Sequence, residues 1–157
     1  MYLYKSTLNS VSQTKNIANY LYKLSKKGDI FALYGDIGVG KTTFVRYFIN
    51  SANKTEYVPS PSYNIYFKYY SKKAAIYHMD AWRIENDLEI FNLGVSDFFN
   101  DSIFLIEWAD KVDSLLPTSK LKITLEYRKN LRTISFHGNA SWKKRLNKNF
   151  KRCFFEN

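Results

Sequence analysis

The sequence predicts an α/β fold: three layers on a mixed, mainly parallel central sheet, with a β-hairpin towards the C-terminus. Three observations predict it. Short apolar runs of strand length are interleaved with stretches whose apolar residues recur at helical spacing. A glycine-rich turn, Gly35-Asp36-Ile37-Gly38-Val39-Gly40-Lys41-Thr42, joins one such run, 29–34, to one such helical stretch, 43–50. Finally, Leu121, Ile123, Leu125 and Tyr127 alternate, as do Arg132, Ile134 and Phe136 beyond a turn at Arg128-Lys129-Asn130, which is a hairpin pattern.

A chain of 157 residues, 45% apolar and 18% aromatic, can bury one good core and is short for two. No apolar run approaches the roughly 18 residues that span a bilayer, so no membrane partner is expected. Met1-Tyr2-Leu3-Tyr4-Lys5 lacks the apolar core and small-residue cleavage site of a signal peptide. One cysteine, Cys153, excludes an internal disulfide framework and suits a reducing cytoplasm. With two histidines, it supplies too few ligands for an ordinary structural zinc site. The net charge of +10 favours acidic partners, nucleic acid first. The same charge also fits a solvated Lys-rich surface, and charge alone does not choose.

In order, Tyr2 to Thr7 reads as an edge strand. Ser12 or Thr14 can cap a helix with Ile17, Leu21 and Leu24 on one face, ending at Lys26-Lys27-Gly28. After the glycine turn and its helix, residues 51–57 read as a polar loop. Val58-Pro59-Ser60-Pro61-Ser62-Tyr63 is held extended by its prolines. Tyr63, Ile65, Phe67 and Tyr69 alternate as a strand with one buried face. A turn at Ser71-Lys72-Lys73 leads to a second strand, 74–78. A short helix over 86–93 stops at Gly94, 95–100 forms a further turn or helix, and 102–106 is the most hydrophobic strand. Residues 111–116 form a brief helix closed by Pro117. Residues 1–140 are expected to make one domain. Residues 141–157 form a basic tail, helical at first, carrying Lys143, Lys144, Arg145, Lys148, Lys151 and Arg152.

The glycine turn fits the phosphate-binding loop of P-loop nucleoside triphosphatases, Gly, four residues, Gly-Lys-Ser/Thr. Its glycines let backbone N–H groups converge on a phosphate. Residues 35–43, Gly35 to Thr43, would bind the nucleotide. Lys41 would reach the β- and γ-phosphates, and the Thr42 hydroxyl would take a position on Mg²⁺. A strand before and a helix after put the turn at a helix N-terminus, where an anion is favoured. Such a site needs an acidic residue at the C-terminal end of a nearby strand, where ligands of parallel α/β sheets bind. Glu107 follows the most apolar strand and is the first candidate. Asp80 is the second, and could instead cap the next turn. His78 could act as a base, though a lone strand-end histidine is more often packed. Arg83 could steady a phosphate, contact RNA or pair with Glu85. Trp82 and Trp108 read as packing residues beside the acidic candidates.

With these segments in hand, the chain resembles the TsaE (YjeE) family of small bacterial ATPases. Gly35 to Phe44 resembles its extended phosphate loop, and Val58 to Tyr63 its Ser-Pro-Thr-Phe segment, with Ser62 and Tyr63 in place of Thr and Phe. His78-Met79-Asp80-Ala81-Trp82-Arg83 resembles its His-x-Asp-x-Tyr-Arg segment, and Ile106-Glu107-Trp108 its Glu-Trp signature. The resemblance implies an ATP- and Mg²⁺-dependent protein that acts with TsaD and TsaB proteins in making threonylcarbamoyladenosine in tRNA, touching tRNA directly or through them. It implies that Thr42, Asp80 and Glu107 serve the metal and the attacking water, with Lys41 catalytic beside them. Ser60, Ser62, Arg83 and Trp108 would form a switch or a partner contact. The resemblance leaves the tail without a role. Two alternatives stand beside this reading: a small-molecule kinase, against which no compact Arg cluster is visible, and a nucleotide-dependent tRNA adaptor with little turnover. A GTPase would need an Asn-Lys-x-Asp segment and an Asp-x-x-Gly after the loop, and neither is present.

Overall fold

The computed structural model describes residues 1–54, 57–147, 149–150 and 154. Seven strands, β1 (Tyr2–Leu8), β2 (Ile30–Tyr34), β3 (Tyr66–Tyr69), β4 (Ile76–Asp80), β5 (Ile103–Glu107), β6 (Leu121–Arg128) and β7 (Leu131–His137), form one sheet ordered β1-β7-β6-β2-β5-β4-β3. β6, β2, β5 and β4 are mutually parallel. β3 and β7 flank this block antiparallel, and β1 pairs antiparallel beyond β7. The expected mixed sheet and hairpin are both present.

The helices are α1 (Val11–Leu24), α2 (Lys41–Ala52), α3 (Asp87–Asn92) and α4 (Ala140–Arg145). β2 is buried along its whole length, and its side chains alternate between two cores. Phe31 and Leu33 pack with Ile17 and Leu21 of α1, Phe44 and Phe48 of α2, and Trp142 of α4. Ile30, Ala32 and Tyr34 pack on the other face with Ile90 of α3 and with Val95, Phe99 and Val112, in or beside short 3₁₀ turns. Two apolar faces on each central strand explain why these strands read as continuous hydrophobic runs. Phe150 joins the first core and meets Tyr4, Tyr20 and Phe136 ring to ring.

Several boundaries differ from expectation. The N-cap of α1 is Ser10, which accepts from Gln13 N, rather than Ser12 or Thr14. The helix stops at Leu24, short of Lys26-Lys27-Gly28. Its last carbonyls are met by the Lys73 ammonium, which donates to Tyr22, Lys23 and Ser25 oxygens at 2.6, 2.7 and 2.9 Å, as a cation at a helix C-terminus should. α2 runs through residues 51 and 52, which were expected in a loop; Thr55 and Glu56 lie outside the described residues. β3 begins only at Tyr66, because residues 62–64 turn and Ile65 takes φ +66°. The brief helix expected at 111–116 is two 3₁₀ turns, Ala109–Lys111 and Asp113–Leu115. Of the predicted tail, Lys148, Lys151, Arg152 and Cys153 lie outside the described residues. Among the described residues no helix is long and apolar enough to cross a membrane.

Candidate functional site

The site is built where the parallel strands end. β2 delivers the chain into the glycine loop. Gly35 has φ +130°, and a Cβ there would lie 2.1 Å from the Leu125 carbonyl oxygen of β6, so no side chain fits. Gly40, at φ +108°, caps the start of α2 and turns the loop into the helix with the first-turn N–H groups facing outwards.

Register puts the carboxylates beside the loop. Asp80 and Glu107 are direct partners at the ends of β4 and β5, and Leu33 of β2 is the partner of Glu107 on its other side. Both carboxylates are almost fully buried, at 3% and 2% exposure, and both are hydrogen-bonded, as buried charges require. Glu107 accepts from Thr42 Oγ1 at 2.8 Å and pairs through its other oxygen with His78 Nε2 at 2.7 Å. Asp80 Oδ1 accepts from Trp82 N at 2.9 Å, while Oδ2 accepts from Ser62 and Ser60 hydroxyls at 2.8 and 3.2 Å. Asp80 therefore caps the next turn and also holds the 58–62 segment. Arg46 of α2 ties down that segment's start by donating to Val58 O at 3.1 Å.

Lys41 is buried at the foot of α2. Its ammonium donates to the carbonyls of Gly35 and Asp36 and lies 3.8 Å from the centre of the Trp108 ring. Burial pushes its pKa below the ordinary lysine value, and the nearby charges of Glu107 and Asp80 offset part of that shift. Trp108 reaches Lys41 because its backbone adopts φ +54° directly after β5, a left-handed conformation uncommon for an aromatic residue and of a kind concentrated at functional sites. Trp82 packs on Trp108 with ring centres 4.3 Å apart. An open cavity of about 450 Å³ lies among Gly38, Lys41, Thr42, Asp80, Glu107 and Trp108.

The structure thus brings together Lys41, Thr42, Asp80, Glu107, Ser60, Ser62 and Trp108. Thr43, Ile37 and Arg83 also line the cavity, but the Arg83 guanidinium stacks 4.4 Å over the exposed Tyr63 ring at its mouth. Asp36 turns its carbonyl, not its carboxylate, to Lys41, and Val39 is buried in the core. His78 is fully buried behind Glu107 and does not line the cavity; its Nδ1 has no hydrogen-bond partner among the described residues. Its link to Glu107 was missed in the sequence. The available signal was its position two residues before Asp80 on an adjacent strand, which fixes the face it shares.

A family model described as "Threonylcarbamoyl adenosine biosynthesis protein TsaE" matches residues 8–134. A Rickettsia prowazekii protein named tRNA threonylcarbamoyladenosine biosynthesis protein TsaE is 37% identical over 133 residues, 83% of this chain and 92% of its own. Proteins of the same name from Bacillus subtilis and Haemophilus influenzae are 36% and 35% identical over 73% and 76% of this chain, and over 72% and 77% of their own. The crystal structure of Bacillus subtilis YdiB superposes with a TM-score of 0.80 at 28% identity, covering 98% of this chain and 97% of that one. The motifs, the sheet with its strand-end carboxylates, and these matches agree: the chain belongs to the TsaE family.

Proposed function

We propose that the protein is a P-loop ATPase acting in the formation of N6-threonylcarbamoyladenosine in tRNA. The observation that carries this reading is the Thr42–Glu107–His78 chain at the start of α2, beside a buried Lys41. The donor set suits Mg²⁺: one hydroxyl and two carboxylates are hard oxygen ligands, too few to enclose the ion without phosphate oxygens and water. Thr42, Asp80 and Glu107 are the side chains that would hold it. When bound, Mg²⁺ would offset charge on the transferring phosphoryl group.

The chain's own groups do the rest. N–H groups at the start of α2 would face the phosphates. Lys41 would exchange the loop carbonyls for the terminal phosphate. Glu107, held at both oxygens, would orient the attacking water and take its proton. Ser60 and Ser62, bonded to Asp80, would report on the nucleotide to the 58–62 segment. The exposed rim of Ile37, Tyr63 and Trp82 leaves the cavity open to water. Turnover in isolation is therefore expected to be slow, and TsaD–TsaB-type partners would complete the site, in the cytoplasm. Hydrolysis would drive a conformational or product-release step of the tRNA modification.

Mg²⁺-dependent ATP hydrolysis, measured with and without a TsaD–TsaB complex from the same source, tests the reading. Partner-stimulated turnover that disappears in Lys41→Ala and Glu107→Ala is expected. Full activity in either variant, or a wild-type chain that binds no ATP, would overturn it.

A further inference from the structure

We propose that Arg132 holds a non-terminal phosphate of the nucleotide, which makes the β6–β7 hairpin the nucleoside side of the site; this rests on the nucleotide reading above. The polar machinery is one-sided. Asp80, Glu107 and Trp108 border the glycine loop from β4 and β5, and Lys41 stacks on Trp108. The terminal phosphate belongs on that flank, so the rest of the nucleotide leaves by the other. There β6 abuts Gly35 through the Leu125 carbonyl, and the hairpin turn at Lys129-Asn130, both at positive φ, carries the chain back as β7.

Arg132 sits on this return. A Cβ on Gly40 would lie 3.7 Å from Arg132 Nη1 and 3.8 Å from Cζ, so the guanidinium lies against the residue that opens α2. Its Nε is buried and has no hydrogen-bond partner among the described residues. Glu126, which pairs with Thr133 and so projects from the other face of the sheet, is engaged by Lys5 and Arg128, and Arg132 is paired with Leu8 and Tyr127 on its neighbouring strands. A cation beside the positive end of a helix, with a buried donor unused, is unfavourable alone. An anion between the two relieves both costs, and a planar guanidinium is the group best shaped to take a phosphate.

Calorimetric titration of ATP and ADP, each with Mg²⁺ at fixed salt, tests the contact. Arg132→Ala is expected to weaken both nucleotides by about the same factor, roughly 10- to 100-fold, as for a lost charge-assisted hydrogen bond. Arg132→Lys, which keeps the charge and the stem, is expected to recover part of the loss, and it carries the test if the Ala variant does not fold. ADP binding at wild-type strength in both variants, or a loss confined to ATP, would overturn the proposal while the nucleotide reading stands. A wild-type chain that binds neither nucleotide would overturn both together.

Discussion

The two ends of the parallel strands both bury charge, and they treat it differently. At the N-terminal end, Asp29 is held by Arg145 through both carboxylate oxygens and also accepts from Lys26 N at 2.9 Å. The same guanidinium donates to Leu24 O at 2.7 Å and lies 3.9 Å over Trp142. Each charge there is answered by a neighbour, and α4 is clamped to the end of α1. At the C-terminal end, Lys41 is held below its ordinary pKa, His78 Nδ1 and Arg132 Nε are buried without hydrogen-bond partners among the described residues, and Trp108 sits in a left-handed conformation. Satisfied charge fixes a fold, whereas unsatisfied charge kept in place by packing is a site prepared for something else.

That contrast breaks most readily through Glu107. Glu107→Gln, which keeps the side chain's shape and its links to Thr42 and His78 but removes the charge, is expected to lower partner-stimulated ATP turnover about 1,000-fold, the scale of one preorganised catalytic group, with little loss of thermal stability. A variant that melts early while the folded fraction keeps its turnover would place Glu107 with the structural charges instead. The mirror experiment is Arg145→Ala, expected to cost about 3 kcal/mol in denaturant unfolding by stranding Asp29, with ATP affinity unchanged in the folded protein. Adding Asp29→Asn should restore most of that stability; no restoration would mean that the loss came from packing on Trp142.

The same contrast marks what could be read in the sequence. The glycine loop and the two carboxylates were legible because their causes are local. The Gly-x4-Gly-Lys-Thr spacing stands between an apolar run and a helical stretch, and an acidic residue after an apolar run falls at a strand end. Contacts set by distant chain were not legible. Ser10, Ser12 and Thr14 are equivalent caps on paper. The choice is made by β1, which stays paired through Leu8 with Arg132 and releases the chain just before Ser10. The alternation of Tyr63, Ile65 and Phe67 promised a longer β3. Instead, the Ile65 carbonyl accepts from Asp80 N at 2.8 Å, and the turn before it lets Ser62 meet Asp80. Trp108 carries no local sign that it will take a left-handed backbone and cover Lys41.

A smaller effect should come from His78, whose Nε2 is bonded to Glu107. His78→Ala is expected to lower kcat about tenfold, roughly one charge-assisted hydrogen bond, with KM for ATP nearly unchanged. His78→Gln, which can still donate to Glu107, should recover part of it. Equal losses in kcat and affinity would make the histidine a general packing residue rather than a holder of the carboxylate.

The gentlest test reads the cost of the site through pH. Because burial lowers the Lys41 pKa in the folded protein, the unfolded chain binds the extra proton at pH values between the folded value and 10.5. Stability of the nucleotide-free protein should therefore rise with pH across that window as far as Lys41 is concerned, and the full penalty holds below it. Tyr34 works in the opposite direction. Burial, then its bond to Asp113, raises its pKa, so its contribution is present below pH 10 and is lost above it. Comparing wild type with Lys41→Met cancels the tyrosine. The stability difference between the two proteins should narrow or reverse in favour of wild type as pH climbs towards 10.5, when followed by denaturant midpoints. A difference independent of pH would mean that the loop carbonyls and the Trp108 ring already compensate the buried ammonium. Lys41 would then belong with the satisfied charges at the other end of the sheet.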